Sequence, residues 1–363
     1  MPPKQFYSSK KSKSPIFPTS SSLTKFLVIV ESPSKCKKIE EFLGNEYTCI
    51  ASKGHIRNIP DLKAIHPDFS MVHYSISEDK KTYVEQMKQT IKLYDTSNIF
   101  VATDDDREGE AIAWHICEVC ELSVKTTKRI IFHEITKPAI VNAIQTPTII
   151  NMNKVYAQQT RQILDMWVGY KISPFLWKYD KTNGLSAGRC QTPALRLVYD
   201  NHILLQQSKS IDIQYKTTAT FFSQNIPFVL QHDFREPNEM ELFLKKSITH
   251  DYFLQPSPIC KEITKSPPNP FNTSHLLQVA NNILHYSPQE TMSLCQELYQ
   301  NGDITYMRTE STKYSVLFVE EIMEYITKEY DATYHGNIQS LISNEKTNPH
   351  EAIRVTHIEK KNT

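Results

Sequence analysis

Positions 27–35 read LVIVESPSK and positions 99–115 read IFVATDDDREGEAIAWH, and these two stretches decide the fold. In the first, Phe26–Val30 is a short, β-branched apolar run of the kind buried on both faces in a parallel sheet. Ser32, Pro33 and Ser34 break it, and residues 35–43 then place Ile39, Phe42 and Leu43 on one helical face. The second stretch repeats the strand, turn and helix. An apolar run over 99–103 ends in Asp104, Asp105 and Asp106, and a helix is expected over 108–122. Ligands of open α/β sheets collect just outside the carboxyl ends of the strands, so Glu31 and the acidic cluster both fall where a site belongs.

Working outward, residues 153–176 read as mostly helix ending near Pro174, with Trp167, Val168 and Tyr170 as apolar mass. A loop with Gly184 and Gly188 leads to a second helix over 191–206. Alternation rich in Thr, Tyr and Phe over 211–222, and again over 226–232, predicts strands. The Pro-rich stretch 265–272 reads as a hinge, followed by helices over 273–286 and 288–300 and a short strand or turn over 304–308. The expected organisation is α/β and multidomain: a tail over 1–24, an α/β domain over 25–150, a helical segment over 151–208, a β-rich segment over 209–264 and a helical domain over 265–363.

Composition sets limits. Of 363 residues, 39% are hydrophobic and 22% charged, an ordinary globular balance, and no apolar run approaches the ~20 residues of a membrane span. Seven scattered cysteines, an odd number, read as reduced thiols of an intracellular protein. Only Cys117 and Cys120 have CxxC spacing, and without a second pair they suit helix packing better than zinc. A net charge of +1 does not by itself announce a nucleic-acid binder. Basic charge does collect before Glu31, the first acid, in a Ser- and Pro-containing tail that cannot bury a core and reads as disordered.

Three constellations carry possible chemistry. Asp104, Asp106 and Glu108 alternate, and on an extended segment carboxylates two apart share a face and can share a hard cation such as Mg²⁺. The same acids also suit a helix N-terminus with no ion at all; Glu31, at the end of a parallel strand, tips the reading towards a metal. In GDITYMRT (302–309), the Tyr306 oxygen could attack a phosphodiester with Arg308 offering its planar fork to phosphate oxygens, although among 18 tyrosines most simply pack. His350, in HEAIR, is another possible phosphate donor. In GLSAGRCQ (184–191), backbone N–H groups at a helix start and Arg189 would suit a DNA phosphate, or the glycines only permit the turn.

Taken together, these motifs resemble the type IA DNA topoisomerases, the bacterial topoisomerase I branch above all. LVIVESPSK with ATDDDREGEAIAWH (102–115) looks like their Toprim domain, and LDMWVGY (164–170) with GLSAGRCQTPALR looks like their DNA-gate segment. PFNTSHLLQVA (270–280), GDITYMRTES and HEAIR follow in the family's order. The resemblance implies a Toprim domain over 25–150, the first part of the gate over 151–208, the first part of the arch over 209–264 and an incomplete tyrosine-bearing domain over 265–363. It implies that Tyr306 forms a 5′-phosphotyrosine, that Arg308 holds the scissile phosphate, and that Lys35, with Glu31 beside it, serves the leaving 3′-oxygen. Asp104, Asp106, Glu108 and Glu31 would bind Mg²⁺. Arg161, Asp165, Arg189, Gln191, His350 and His55 would contact DNA, single-stranded or negatively supercoiled. A nucleoid-associated cytoplasmic location would follow for a bacterial member.

Departures from the family pattern are few. Asp105 stands where the family has Leu, adding charge near the metal; Thr160 stands where bacterial members often carry Arg; Glu310 replaces a usual Asp. The chain stops nine residues after HEAIR. The expectation is therefore a fragment, or one half of a split enzyme with a second polypeptide supplying the remaining arch and gate. The competing readings are a non-catalytic DNA-binding remnant and a Toprim nuclease or primase.

Overall fold

The computed structural model describes residues 24–179, 184–207, 214–221, 225–252, 265–342 and 350–359. The expected tail, apart from Thr24, and the start of the expected strand over 211–222 lie outside the described residues. The chain divides into two compact units, Met1–Tyr170 with Pro268–Thr363, and Lys171–Pro267.

The first unit is built on a four-stranded parallel sheet of β1 (Phe26–Val30), β2 (Tyr47–Ala51), β3 (Ile99–Ala102) and β4 (Lys128–Arg129), in the order β2-β1-β3-β4. β1 pairs with β2 on one side, Phe26 opposite Tyr47, and with β3 on the other, Leu27 opposite Ile99. The strand order therefore reverses at β1. The crevice beyond the ends of β1 and β3 is the switch point where α/β sheets place their sites, and Glu31 and Asp104 stand at its rim.

Both faces of the sheet are covered, which is why its strands read as unbroken apolar runs. Leu27 and Ile29 pack on α2 (Lys81–Ile91) and α3 (Arg107–Val119), against Val84, Met87, Ile112 and Ile116. Val28 and Val30 face the other way, against Ile39 of α1 (Pro33–Leu43) and Ile140 of α4 (Lys137–Gln145). That second face is completed from far along the chain by Cys295, Tyr299, Tyr306 and Met307. Each such fully buried side chain contributes about 1.5–3 kcal/mol. Cys117 and Cys120 are both buried in the first cluster, as helix packing requires.

Two glycines are needed for close approach. A Cβ on Gly109, in the first turn of α3, would lie 2.2 Å from the Asp104 carbonyl oxygen. Gly302 combines φ +69° with a Cβ position 2.6 Å from the Ile135 carbonyl oxygen.

Several elements differ from expectation. α3 begins at Arg107, because the Asp106 side chain caps it by accepting from Gly109 N at 2.7 Å, so Glu108 lies in the helix and not on an extended segment. α5 (Met152–Tyr179) runs through Pro174 instead of ending there; beside the proline Ser173 Oγ accepts from Ala187 N at 3.0 Å and Trp177 Nε1 donates to Leu185 O at 2.7 Å. α8 (Thr273–Val279) loosens into a π turn over Ala280–Leu284 and stops at His285, whose φ of 57° is left-handed. α9 (Pro288–Gln300) carries a full capping box from Ser287 and Glu290. Residues 304–308 are irregular, pinned by the Ile304–Val355 bridge and by Tyr306 N donating to His133 O at 2.8 Å. α10 (Val316–Glu329) follows.

The second unit holds the last turns of α5, α6 (Gln191–Gln207), the antiparallel hairpin of β5 (Thr218–Phe221) and β6 (Ile226–Val229), and α7 (Pro237–Ile248). The segment expected to be β-rich thus carries, among its described residues, one hairpin and a twelve-residue helix. Pro237 at the helix start and Lys245 and Lys246 in its last turn are the helix signals there. α6 buries no residue, leaving Leu195, Leu197, Val198 and Leu204 exposed.

Candidate active site

The ends of β1 and β3, the start of α3, and the segment around Tyr306 meet at one cleft of about 200 Å³. It is lined by Glu31, Ser32, Lys35, Asp104, Asp106, Glu108, Gln296, Gln300 and Arg308. All four carboxylates expected to hold a metal are therefore together, with Lys35 and Arg308 beside them. Glu108 arrives by helical rise rather than by strand alternation.

Lys35, in the first turns of α1, is fully buried and its ammonium pairs with Asp104 Oδ1. The same ammonium lies 4.8 Å from the ring centroid of buried Tyr299. Asp106 works twice. One oxygen caps α3, and the other, Oδ2, accepts from Tyr306 Oη at 2.5 Å and from Arg308 Nη1 at 3.0 Å. Burial, then the charges of Asp106 and Asp104, push the Tyr306 phenol well above the usual tyrosine range. Burial first, and then the charge of Asp104, also push Glu31 up to about 7, against partial relief from Lys35. Four carboxylates, Glu31, Asp104, Asp106 and Glu108, line the cleft against two cations, Lys35 and Arg308.

Glu108 is the hub for three neighbours. It meets His55 Nε2 at 3.0 Å, accepts from Gln158 Nε2 at 3.1 Å, and accepts from Arg161 Nη1 at 3.3 Å. The His55 bond leads in holding its pKa down to about 2. Arg161 also reaches Asp165, its neighbour one turn on, at 3.7 Å. Thr160 Oγ1 donates back to Tyr156 O at 2.8 Å, one turn earlier on the same helix. Arg189 and Gln191 belong to the second unit, where Gln191 Nε2 donates to Ser186 O at 3.0 Å and closes the glycine loop.

Asp105 corrects the sequence reading. Its charge does not join the cleft; it turns away, with Lys154 Nζ at 2.6 Å, His133 Nε2 at 2.9 Å and His350 Nε2 at 3.9 Å. Burial opposes its ionisation, but the bonds from His133 and Lys154 hold it well below the usual carboxylate range. Asp105, His133 and His350 form a cluster that could coordinate a metal ion.

Sequence reasoning missed the contributions of Ser32, Gln296, Gln300 and Arg129. Gln296 and Gln300 stand one turn apart on α9, and Ser34 Oγ donates to Gln300 Oε1 at 2.6 Å. Arg129 is fully buried; it donates to the carbonyls of Thr103 at 2.7 Å and Asp104 at 2.8 Å, and pairs with Glu110 at 3.3 Å. It fixes the backbone that presents the acids. Local sequence gave no signal for it beyond an arginine in an apolar setting.

Residues 149–363 match the DNA topoisomerase family model and residues 26–135 match the Toprim domain. The chain belongs to the type IA DNA topoisomerase family. It is similar to DNA topoisomerase 1 of Campylobacter jejuni subsp. jejuni serotype O:2, 36% identical over 359 residues, covering 93% of this chain and 50% of that protein. It is also similar to full-length topoisomerase I from Thermotoga maritima, at a TM-score of 0.74 and 35% identity, covering 91% of this chain and 55% of the other. The chain thus spans about half the length of these relatives. No helix among the described residues is long and apolar enough to cross a membrane.

Proposed function

We propose that this chain breaks and rejoins one strand of DNA through a phosphotyrosine at Tyr306, without ATP, as part of the relaxation of negatively supercoiled DNA. The observation that carries the reading is the shared Asp106 carboxylate, which takes Tyr306 Oη at 2.5 Å and Arg308 Nη1 at 3.0 Å at the edge of the acidic cleft. Tyr306 Oη attacks the phosphorus, forming a P–O bond to the phenol as the P–O3′ bond breaks. The phenol proton passes to Asp106, its hydrogen-bond acceptor. Lys35 gives a proton to the departing 3′-oxygen, and Arg308 neutralises the phosphate oxygens. Rejoining is the same sequence reversed, the phosphotyrosine bond having kept the energy of the broken one.

Glu31, Asp104, Asp106 and Glu108 suit Mg²⁺, because they are four oxygen ligands lining one cleft, where burial first and then the charge of Asp104 raise Glu31. When bound, Mg²⁺ supplies positive charge for placing the DNA backbone during rejoining. Arg161, Asp165, His55, His350, Arg189 and Gln191 are the DNA contacts. Arg161 and His55 share Glu108, so backbone phosphate and Glu108 compete for the same donors. The exposed leucines of α6 support a further segment of topoisomerase chain, or a second polypeptide, covering that face.

The test is a 3′-end-labelled single-stranded oligonucleotide incubated with the protein, with and without Mg²⁺, then denatured and run on a gel. A labelled protein adduct is expected, and it should vanish in Tyr306→Phe. DNA binding with no adduct would overturn the assignment of chemistry to Tyr306.

A further inference from the structure

We propose that Asp105, His133 and His350 form a second metal site, selective for a borderline transition metal such as Zn²⁺, whose occupancy withdraws His350 from DNA. The part concerning DNA rests on the function proposed above; the site itself does not.

The three ligand atoms lie within 4.8 Å of one another, and two imidazole nitrogens converge on one carboxylate oxygen, His133 Nε2 at 2.9 Å and His350 Nε2 at 3.9 Å. Zinc bonds of about 2.0–2.2 Å at tetrahedral angles separate ligand atoms by about 3.3 Å. The two spacings to Asp105 Oδ2, 2.9 and 3.9 Å, lie on either side of that value, so closure draws His350 inward and lets His133 relax outward. The rings are already edge-to-face with centroids 5.0 Å apart. The Asp105 side chain is 2% exposed and the two histidines are 25% and 22% exposed, so the carboxylate is buried while an ion can still enter past the rings. Lys154 occupies the other oxygen, Oδ1, at 2.6 Å and leaves Oδ2 to the ion. Its positive charge weakens binding without blocking it.

Ligand chemistry separates this site from the cleft. Two nitrogens and one oxygen favour Zn²⁺, Co²⁺ or Ni²⁺, whereas a set of oxygens favours Mg²⁺. Three protein ligands leave a fourth position open to water. An ion must displace any proton on the two coordinating nitrogens, which moves to the other ring nitrogen or to solvent. The ligands come from the end of β3, the loop after β4 and the chain at residue 350, so a bound ion ties three distant segments together. His350 also lies beside the nucleophile, its ring 6.1 Å from that of Tyr306.

The experiment titrates metal-stripped protein with Co²⁺ in excess Mg²⁺ and follows the visible absorption of low-coordinate Co²⁺, its displacement by Zn²⁺, and the melting temperature. Asp105→Leu and His133→Gln run alongside. One equivalent of Co²⁺ should bind the unaltered protein with an intense low-coordinate spectrum and a raised melting temperature. Affinity should fall by at least about tenfold in both variants. Zn²⁺ should suppress oligonucleotide adduct formation in the unaltered protein and spare His133→Gln. Equal Co²⁺ affinity in all three proteins, or only the weak spectrum of octahedral Co²⁺, would overturn the site. Tight binding that leaves adduct formation untouched would overturn the link from the site to DNA.

Discussion

Replacing Arg129 by Met removes a buried side chain that ties the acidic loop to the sheet. The guanidinium is fully buried and faces Glu110, itself 1% exposed. It also donates to the carbonyls of Thr103 at 2.7 Å, Ile130 at 2.8 Å and Asp104 at 2.8 Å. Breaking a buried ion pair from one side leaves an uncompensated charge and costs about 3–5 kcal/mol. At about 2–4 °C per kcal/mol for a unit of this size, the melting temperature should fall by roughly 6–20 °C. Adding Glu110→Gln removes the stranded charge and should recover part of the loss. It should not recover all of it, because the carbonyls stay unpaired at about 1–3 kcal/mol each. Urea denaturation of the two single variants and the double variant measures the coupling directly. If Arg129→Met melts within about 2 °C of the unaltered protein, water satisfies these groups and Arg129 does not hold the acids in place.

Gly109→Ala puts a Cβ 2.2 Å from the Asp104 carbonyl oxygen, so the loop must shift by about an ångström; a loss of about 1–3 kcal/mol and a weakened Mg²⁺ affinity are expected by denaturation and calorimetry. His115 is 1% exposed and accepts from Arg57 Nε at 2.9 Å; burial, then Arg57, drive its pKa down to about 3. Below about pH 6.5 the unfolded chain binds a proton that the folded chain refuses, so stability should fall by about 2 kcal/mol between pH 6.5 and 5. His115→Gln should show a smaller fall, and equal slopes would refute the cause. With Glu31 at about 7, Mg²⁺ affinity should rise from pH 6 to 8 with release of a proton, and Glu31→Gln should flatten the profile; pH-independent binding in calorimetry would refute it.

What could be read from sequence tracks how local the physical cause is. β1 and β3 were legible because burial on both faces demands an unbroken apolar run. β4 was not: it is two residues long, and Arg129 is there for a partner nineteen residues away. The helix runs through Pro174 although proline reads as a stop, because that signal is statistical and the bonds from Ala187 to Ser173 and from Trp177 to Leu185 are not visible in local spacing. Glu31 and the acids could be placed at strand ends from pattern alone. The bond from Tyr306 to Asp106 spans 200 residues and leaves no trace in local spacing, so only likeness to a family pointed to that tyrosine among 18. The same holds for Asp105 and Lys154, 49 residues apart, whose pairing takes up the charge expected near the metal and keeps Asp105 out of the cleft lining.

The late completion of the sheet's second face has a consequence for synthesis. Val28, Val30 and Phe100 leave the ribosome long before Tyr299, Tyr306 and Met307, which help to cover them. At about 5–20 residues per second, the interval between α4 and Met307 lasts on the order of ten to thirty seconds. Throughout it, a nascent chain presents a half-covered apolar sheet and a set of acids still without Tyr306 and Arg308. That interval is when a chaperone would find this protein, and when slow translation would do it most harm.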